Sequence, residues 1–134
     1  MEVQNYSVSF DSFADRHFAK DFAKKHKSNW EKTRVTIEEI CKRIDNMLEY
    51  QRADLIKSID CYKLVKLDFA VEGTKLSPKN AGNRCILVVN EETRSVKVVL
   101  IYSKDHISSP NETVKWKKII KDNFTNYAEI FSLL

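Results

Sequence analysis

The apolar residues of this chain change their spacing near Val65, and that change limits the folds open to it. Upstream, Ile37, Ile40, Cys41, Ile44, Met47 and Leu48 recur at i, i+3, i+4 and i+7, the stripe of a helix with one buried face. Downstream, Val65, Leu67, Phe69 and Val71 alternate with Lys66, Asp68, Ala70 and Glu72, the period of a strand buried on one side. Cys85–Val89 and Val96–Tyr102 flank the polar stretch Asn90–Arg94. They read as a hairpin whose strands are apolar on both faces, and therefore central in a sheet.

The remaining segments fit around that block. Tyr6–Phe10 alternates as a short strand. Asp11 and Ser12 are placed to cap a helix running to about Lys27, with Phe18 and Phe22 on one face and Lys24, Lys25 and Lys27 in the last turn. Thr36 and Glu39 have capping-box spacing for the second helix, with Thr33 as a competing start. The short break before Trp30 predicts an antiparallel helix pair, and residues 50–63 read as a helical turn plus a connection. Ser109, Pro110 and Glu112 then open a last helix, over about 110–132, with Ser109 as N-cap and proline at the first helical position. Its stripe is Val114, Ile119, Ile120, Phe124, Tyr127 and Phe131, with Trp116 near the edge. The expected architecture is α+β: an antiparallel β-sheet, an N-terminal helical hairpin packed on it, and a C-terminal helix.

With 134 residues and no repeat or linker, residues 1–134 read as a single domain. The longest apolar runs, Cys85–Val89 and Val98–Tyr102, are far short of the ~20 residues of a membrane helix, so no membrane association is expected. The first residues lack a basic start followed by an apolar stretch, and no secretory signal is visible. Cys41, Cys61 and Cys85 are odd in number and far apart, which disfavours a disulfide framework or a zinc knuckle and fits a reducing, cytoplasmic setting. His17, His26 and His106 are equally scattered. No metal or other cofactor is expected.

The net charge of +4 is unevenly spread. Between Gly73 and Asn90 the bases Lys75, Lys79 and Arg84 meet no acid, an excess that either binds a polyanion or keeps a loop soluble. Both glycines of the chain and one of its two prolines fall between Gly73 and Gly82, marking a shaped connection between strands, the kind of loop that carries function on a rigid sheet.

The run Gly73-Thr-Lys-Leu-Ser-Pro-Lys-Asn-Ala-Gly-Asn-Arg84-Cys-Ile-Leu-Val-Val89, then a turn, then Val96-Lys-Val-Val-Leu-Ile-Tyr-Ser-Lys104, resembles the RelE/ParE toxin superfamily. The element order from about residue 6 to 106 matches that family's strand, helical hairpin and antiparallel sheet, while the last helix is longer than the C-terminal element of many members. The resemblance implies the toxin of a type II toxin–antitoxin pair, bound by a cognate antitoxin. RelE-type members cut mRNA on the ribosome, whereas ParE-type members act on DNA gyrase without cutting RNA; an inactive interaction module of the same fold is a third expectation. For an endoribonuclease it implies metal-independent attack of a ribose 2′-hydroxyl on the adjacent phosphate, with a base, an acid and a cation at the phosphate. Arg84 matches the family's strand-borne arginine and is the candidate phosphate clamp, its planar fork suiting phosphate.

His106 is the candidate acid or base, since imidazole titrates near ~6.5, against a plain loop histidine. Tyr102 either donates a proton, stacks on a base, or packs in the core, because it alternates with Val98 and Leu100. Lys75, Lys79 and Lys104 are candidate phosphate contacts or solvated lysines, and the five cationic and imidazole groups are expected on one concave basic surface. Trp30 and Trp116 read as anchors of the helices, and His17, His26 and the cysteines as structural.

Overall fold

The computed structural model describes residues 5–107 and 110–132. Its centre is one five-stranded sheet of β1 (Ser7–Phe10), β2 (Ala53–Ile59), β3 (Tyr62–Phe69), β4 (Asn83–Asn90) and β5 (Ser95–Ser103), in spatial order β1-β5-β4-β3-β2. β1 lies parallel to β5; every other neighbouring pair is antiparallel. The helical hairpin is present, but in pieces: α1 (Ser12–Arg16), α2 (Ala19–His26), α3 (Ser28–Lys42) and α4 (Ile44–Glu49). α5 (Pro78–Ala81) is a single turn before β4, and α6 (Glu112–Asn123) and α7 (Thr125–Ile130) follow the sheet. None of the described helices is long and apolar enough to cross a membrane.

The sheet is buried on both faces. On one side Val65, Leu67, Leu87, Val89, Val98 and Ile101 pack against Phe22, Trp30, Ile37 and Ile44 of the first four helices. On the other side Leu64, Ile86, Val88, Leu100 and Tyr102 pack against Trp116, Ile120, Phe124 and Phe131. A β-bulge sets this division. Leu87 pairs with Val98 and Ile86 with Leu100, so Val99 is an extra residue in β5. Because side chains alternate with period two, one extra residue reverses every later side chain. Leu100 and Tyr102 therefore face α6, although simple alternation places them with Val96 and Val98.

Several sequence expectations are corrected. Residues 50–63 contain β2, an edge strand whose alternation is broken by a second bulge, at Ile56, which hid it from a period-two reading. The expected helix from Ser12 to Lys27 breaks at His17, letting Phe13 and Phe18 reach the second core while Ala14, Ala19 and Phe22 enter the first. Asp11 does cap α1, accepting from the Phe13 N–H at 2.9 Å. Thr33 and Thr36 are not caps; they sit inside α3 and hold the chain leaving β3. The Thr33 hydroxyl accepts from the Glu72 N–H at 2.9 Å, and the Thr36 hydroxyl donates to the Glu72 carboxylate at 2.7 Å. Ser109 lies outside the described residues. Pro110 precedes α6 rather than starting it, with Asn111 in the N-cap position, and the expected single helix breaks at Phe124.

A second clasp ties the β4–β5 turn to the helices. Arg94 lies 3.9 Å over the Tyr6 ring and reaches Asp45 at 3.2 Å, while the Tyr6 hydroxyl donates to Asp45 at 2.9 Å. Burial and then the Asp45 carboxylate push that hydroxyl up to about 12.

Trp116 is fully buried beneath α6, so Trp116→Ala should cost about 3–5 kcal/mol of unfolding free energy, measurable by chemical denaturation. A loss below about 1 kcal/mol would mean that α6 rests only lightly on the sheet.

Candidate functional site

Strand register brings four polar side chains together where β3, β4 and β5 meet the start of α6. Asp68 pairs with Arg84, and Arg84 with Tyr102, so all three project from the same face of the sheet. Glu112, in the first turn of α6, closes over them. Its Oε1 lies 3.1 Å from Arg84 Nη1, and its Oε2 accepts from the Tyr102 hydroxyl at 2.8 Å. Arg84 Nε is 3.3 Å from Asp68 Oδ1, but its N–H is not aimed at that oxygen, so the contact is ionic without a hydrogen bond.

The centre is half closed: the Arg84 side chain keeps 22% of its exposure and that of Glu112 keeps 16%. One guanidinium between two carboxylates leaves it without excess positive charge. Burial pushes the Asp68 carboxyl up against the opposing pull of Arg84 and Lys66. Burial, followed by the bond to Glu112, raises the Tyr102 hydroxyl well above its ordinary value, so it stays protonated at neutral pH and donates to Glu112.

His106 lies on the other side. Asn83 and Ser103 are register partners one residue beyond Arg84 and Tyr102, and they face a groove of about 260 Å3 between α2 and the loop after β3. Lys25, His26, Lys104 and His106 also line this groove, as do Phe22 and Leu76. The His106 ring stacks on Phe18 with centroids 4.6 Å apart. Its Nδ1 accepts from the Ser103 N–H at 3.1 Å, which leaves the proton on Nε2, 3.2 Å from Asp21 Oδ2. Both ring nitrogens are thus committed to the protein, and the imidazole joins α2 to the turn after β5.

Lys104 is placed by a glycine. Gly82 has φ +73°, and a Cβ there would lie 2.9 Å from Lys104 Cδ, so the missing side chain makes room for the lysine stem. Neither Lys104 nor Lys25 has an ion-pair partner among the described residues. Burial, then Lys25, holds His26 below the ordinary imidazole value, and burial, then Lys20 and His106, does the same to His17.

The expected single basic surface is therefore split by the sheet. Lys104 and His106 share the groove on the α2 side, Lys75 and Lys79 stand exposed on the loop that forms one of its walls, and Arg84 and Tyr102 face α6. The residues not anticipated are the neighbours: Glu112 and Asp68 around Arg84, and Lys25, His26 and Asn83 in the groove. Glu112 carried only the signal of a capping residue, and Asp68 that of a solvent-facing strand position. Among the described residues no group of three or more His, Cys, Asp or Glu side chains is arranged to hold a metal ion.

No family model and no curated protein matches this sequence. Among solved structures, a chain of the crystal structure of the archaeal RelE–RelB complex from Pyrococcus horikoshii OT3 is similar, with a TM-score of 0.50 and 10% identity. The match covers 75% of this chain and 96% of that one. At that identity the likeness is one of fold, and the fold is RelE-like.

Gly82→Ala should lower stability by about 1–2 kcal/mol through its left-handed backbone, and should push Lys104 out of the groove. Thermal unfolding and the Lys104 amide shift read the two effects. Acidification gives a further test. His17 and His26 take up protons more readily unfolded than folded, so the unfolded state binds more protons and stability falls as pH drops through about 6.5. The melting temperature should fall between pH 7.5 and 5.5, and the slope should flatten in a His17→Gln/His26→Gln variant.

Proposed function

We propose that this chain is the toxin of a toxin–antitoxin pair, a cytoplasmic protein that cleaves mRNA on the ribosome and is neutralised by a cognate antitoxin. The observation that supports the reading is the RelE-like fold: this five-stranded sheet with its helical hairpin is similar overall to a chain of a RelE–RelB complex. In this reading Arg84 is the phosphate clamp and Tyr102 the proton donor. Cleavage without a metal needs a cation where charge gathers on phosphate, and Arg84 offers a fork at the rim of the sheet. It also needs a base to take the proton of the attacking 2′-hydroxyl and an acid to protonate the departing 5′-oxygen as the phosphorus–oxygen bond breaks. Tyr102, protonated and held beside Arg84, is the acid of this reading. Its raised hydroxyl is a weak acid as it stands, buried and donating to Glu112, and it serves only once Glu112 has moved and the Arg84 charge and a phosphate meet it. Glu112 holds the place a phosphate would take, bridging the same guanidinium and the same hydroxyl.

One observation favours a second reading, a non-enzymatic inhibitor such as a gyrase-type binder or an interaction module. Arg84 already faces two carboxylates, so RNA must displace one of them before it meets a net cation.

Overproduction should arrest growth, and co-expression of a cognate antitoxin, sought in the reading frame adjacent to this one, should relieve the arrest. In a ribosome-programmed cleavage assay, Arg84→Ala should lose about 10²–10³ in rate while remaining folded by circular dichroism. Glu112→Gln should keep or raise the rate, because a neutral amide holds Arg84 less firmly. A wild type that arrests growth without cutting mRNA makes the non-enzymatic reading the right one. A wild type that leaves growth unaffected refutes the toxin role.

A further inference from the structure

The groove on the α2 side is independent of the Arg84 centre and shares no residue with it. Its volume of about 260 Å3 lies just under the ~300–1,000 Å3 of pockets that enclose drug-sized molecules, so it suits one small ligand. Phe22, Val71, Leu76 and Ala81 give it an apolar floor and wall. Leu76 is 56% exposed, a large apolar side chain left without cover at the mouth. Asn83 offers an amide, which both donates and accepts as the edge of a nucleobase requires.

The charges are arranged for an anion. Lys25 comes from α2 and Lys104 from the turn after β5, both unpaired among the described residues, with Lys104 seated over Gly82. Of the two acids on the lining, Asp21 lies 3.2 Å from His106 Nε2 and keeps its charge, so the positive excess comes from the wall lysines together with Lys25 and Lys104. Asp105 remains, exposed on the rim, an acceptor of the kind a ribose hydroxyl needs. The wall loop adds Lys75 and Lys79 to the local positive potential.

We propose that this groove binds one ribonucleoside monophosphate, its base on the floor of Phe22 and Leu76 and its phosphate between Lys25 and Lys104. The ligand is a free nucleotide or one residue of an RNA strand, and both present the same chemistry to the groove. The site does not depend on the toxin reading, whose centre is on the opposite face.

The test is an amide-shift titration of the isotope-labelled full chain with each of the four ribonucleoside monophosphates, a single-stranded hexaribonucleotide and inorganic phosphate. Shifts should centre on Lys25, Asn83 and Lys104. The best mononucleotide should bind at least tenfold more tightly than inorganic phosphate, and binding should weaken as salt rises. A Lys25→Ala/Lys104→Ala variant, which removes two exposed side chains, should weaken binding at least tenfold without changing the melting temperature. A hexanucleotide that binds tenfold more tightly than the mononucleotide identifies the strand as the source, and equal binding identifies the free nucleotide. Binding no tighter than that of inorganic phosphate overturns the proposal. So does binding indifferent to the double variant, or shifts centred on Lys117 and Lys121 of α6. Growth arrest is measured separately, so failure here leaves the toxin reading standing.

Discussion

Strands β4 and β5 are apolar on both faces, so each face of the sheet must be covered before it can leave water. The N-terminal helices cover one, and α6 with α7 cover the other. The bulge at Val99 changes what the second cover buries, since it turns Leu100 and Tyr102 away from α3 and adds them to Leu64, Ile86 and Val88. Once α6 lies there, its first turn is fixed above the end of β4, and Glu112 meets Arg84. The charge network is thus a consequence of how the second apolar face is closed.

That origin explains its electrostatics. A guanidinium partly withdrawn from water needs an opposite charge, and an acidic residue in the first turn of α6 also suits the helix dipole. Desolvation still dominates around it, because the Asp68 carboxyl is raised although Arg84 lies 3.3 Å away. His106 follows the same logic on the other side. Its Nδ1 accepts a backbone N–H and its Nε2 lies 3.2 Å from Asp21, so an imidazole that sequence marks as a candidate acid or base serves as a joint between elements. The groove beside it keeps two lysines with no such partners among the described residues. Charges settled by the protein hold the fold together, and charges left unsettled are the ones available to a ligand.

The legible part of the sequence was what periodicity controls. The change of period at Val65 located the sheet, β4 and β5 were found as an apolar hairpin, and the stripe through Ile37 and Leu48 located α3 and α4. What escaped was whatever depends on one residue more or fewer. The extra Ile56 concealed β2, and the extra Val99 moved Tyr102 to the opposite face. Strand-borne Arg84 was recognisable as a residue, yet its partners Asp68 and Glu112 are set by register and by helix docking, which local spacing does not encode. Lys25 and His26 looked like the cationic end of a helix, and only the packing of α2 beside β5 brings them to Lys104 and His106.

The same packing determines how a phosphate can reach Arg84. Removing α6 and α7 from the sheet would expose Trp116, Ile120, Phe124 and Phe131, each of which contributes about 1.5–3 kcal/mol by its burial. Together that is on the order of 6–12 kcal/mol, comparable with the whole stability of a domain this size. A ligand that had to lift the helices would therefore have to unfold the protein. Turning the Glu112 side chain alone gives up its ion pair with Arg84 and its hydrogen bond from Tyr102, and a hydrogen bond to a charged group is worth roughly 1.5–3 kcal/mol. An incoming phosphate oxygen can replace both contacts from the same direction, since it offers the same acceptors to the same guanidinium and hydroxyl. Access to Arg84 is accordingly decided by one side chain in the first turn of α6, with the rest of that helix remaining in place.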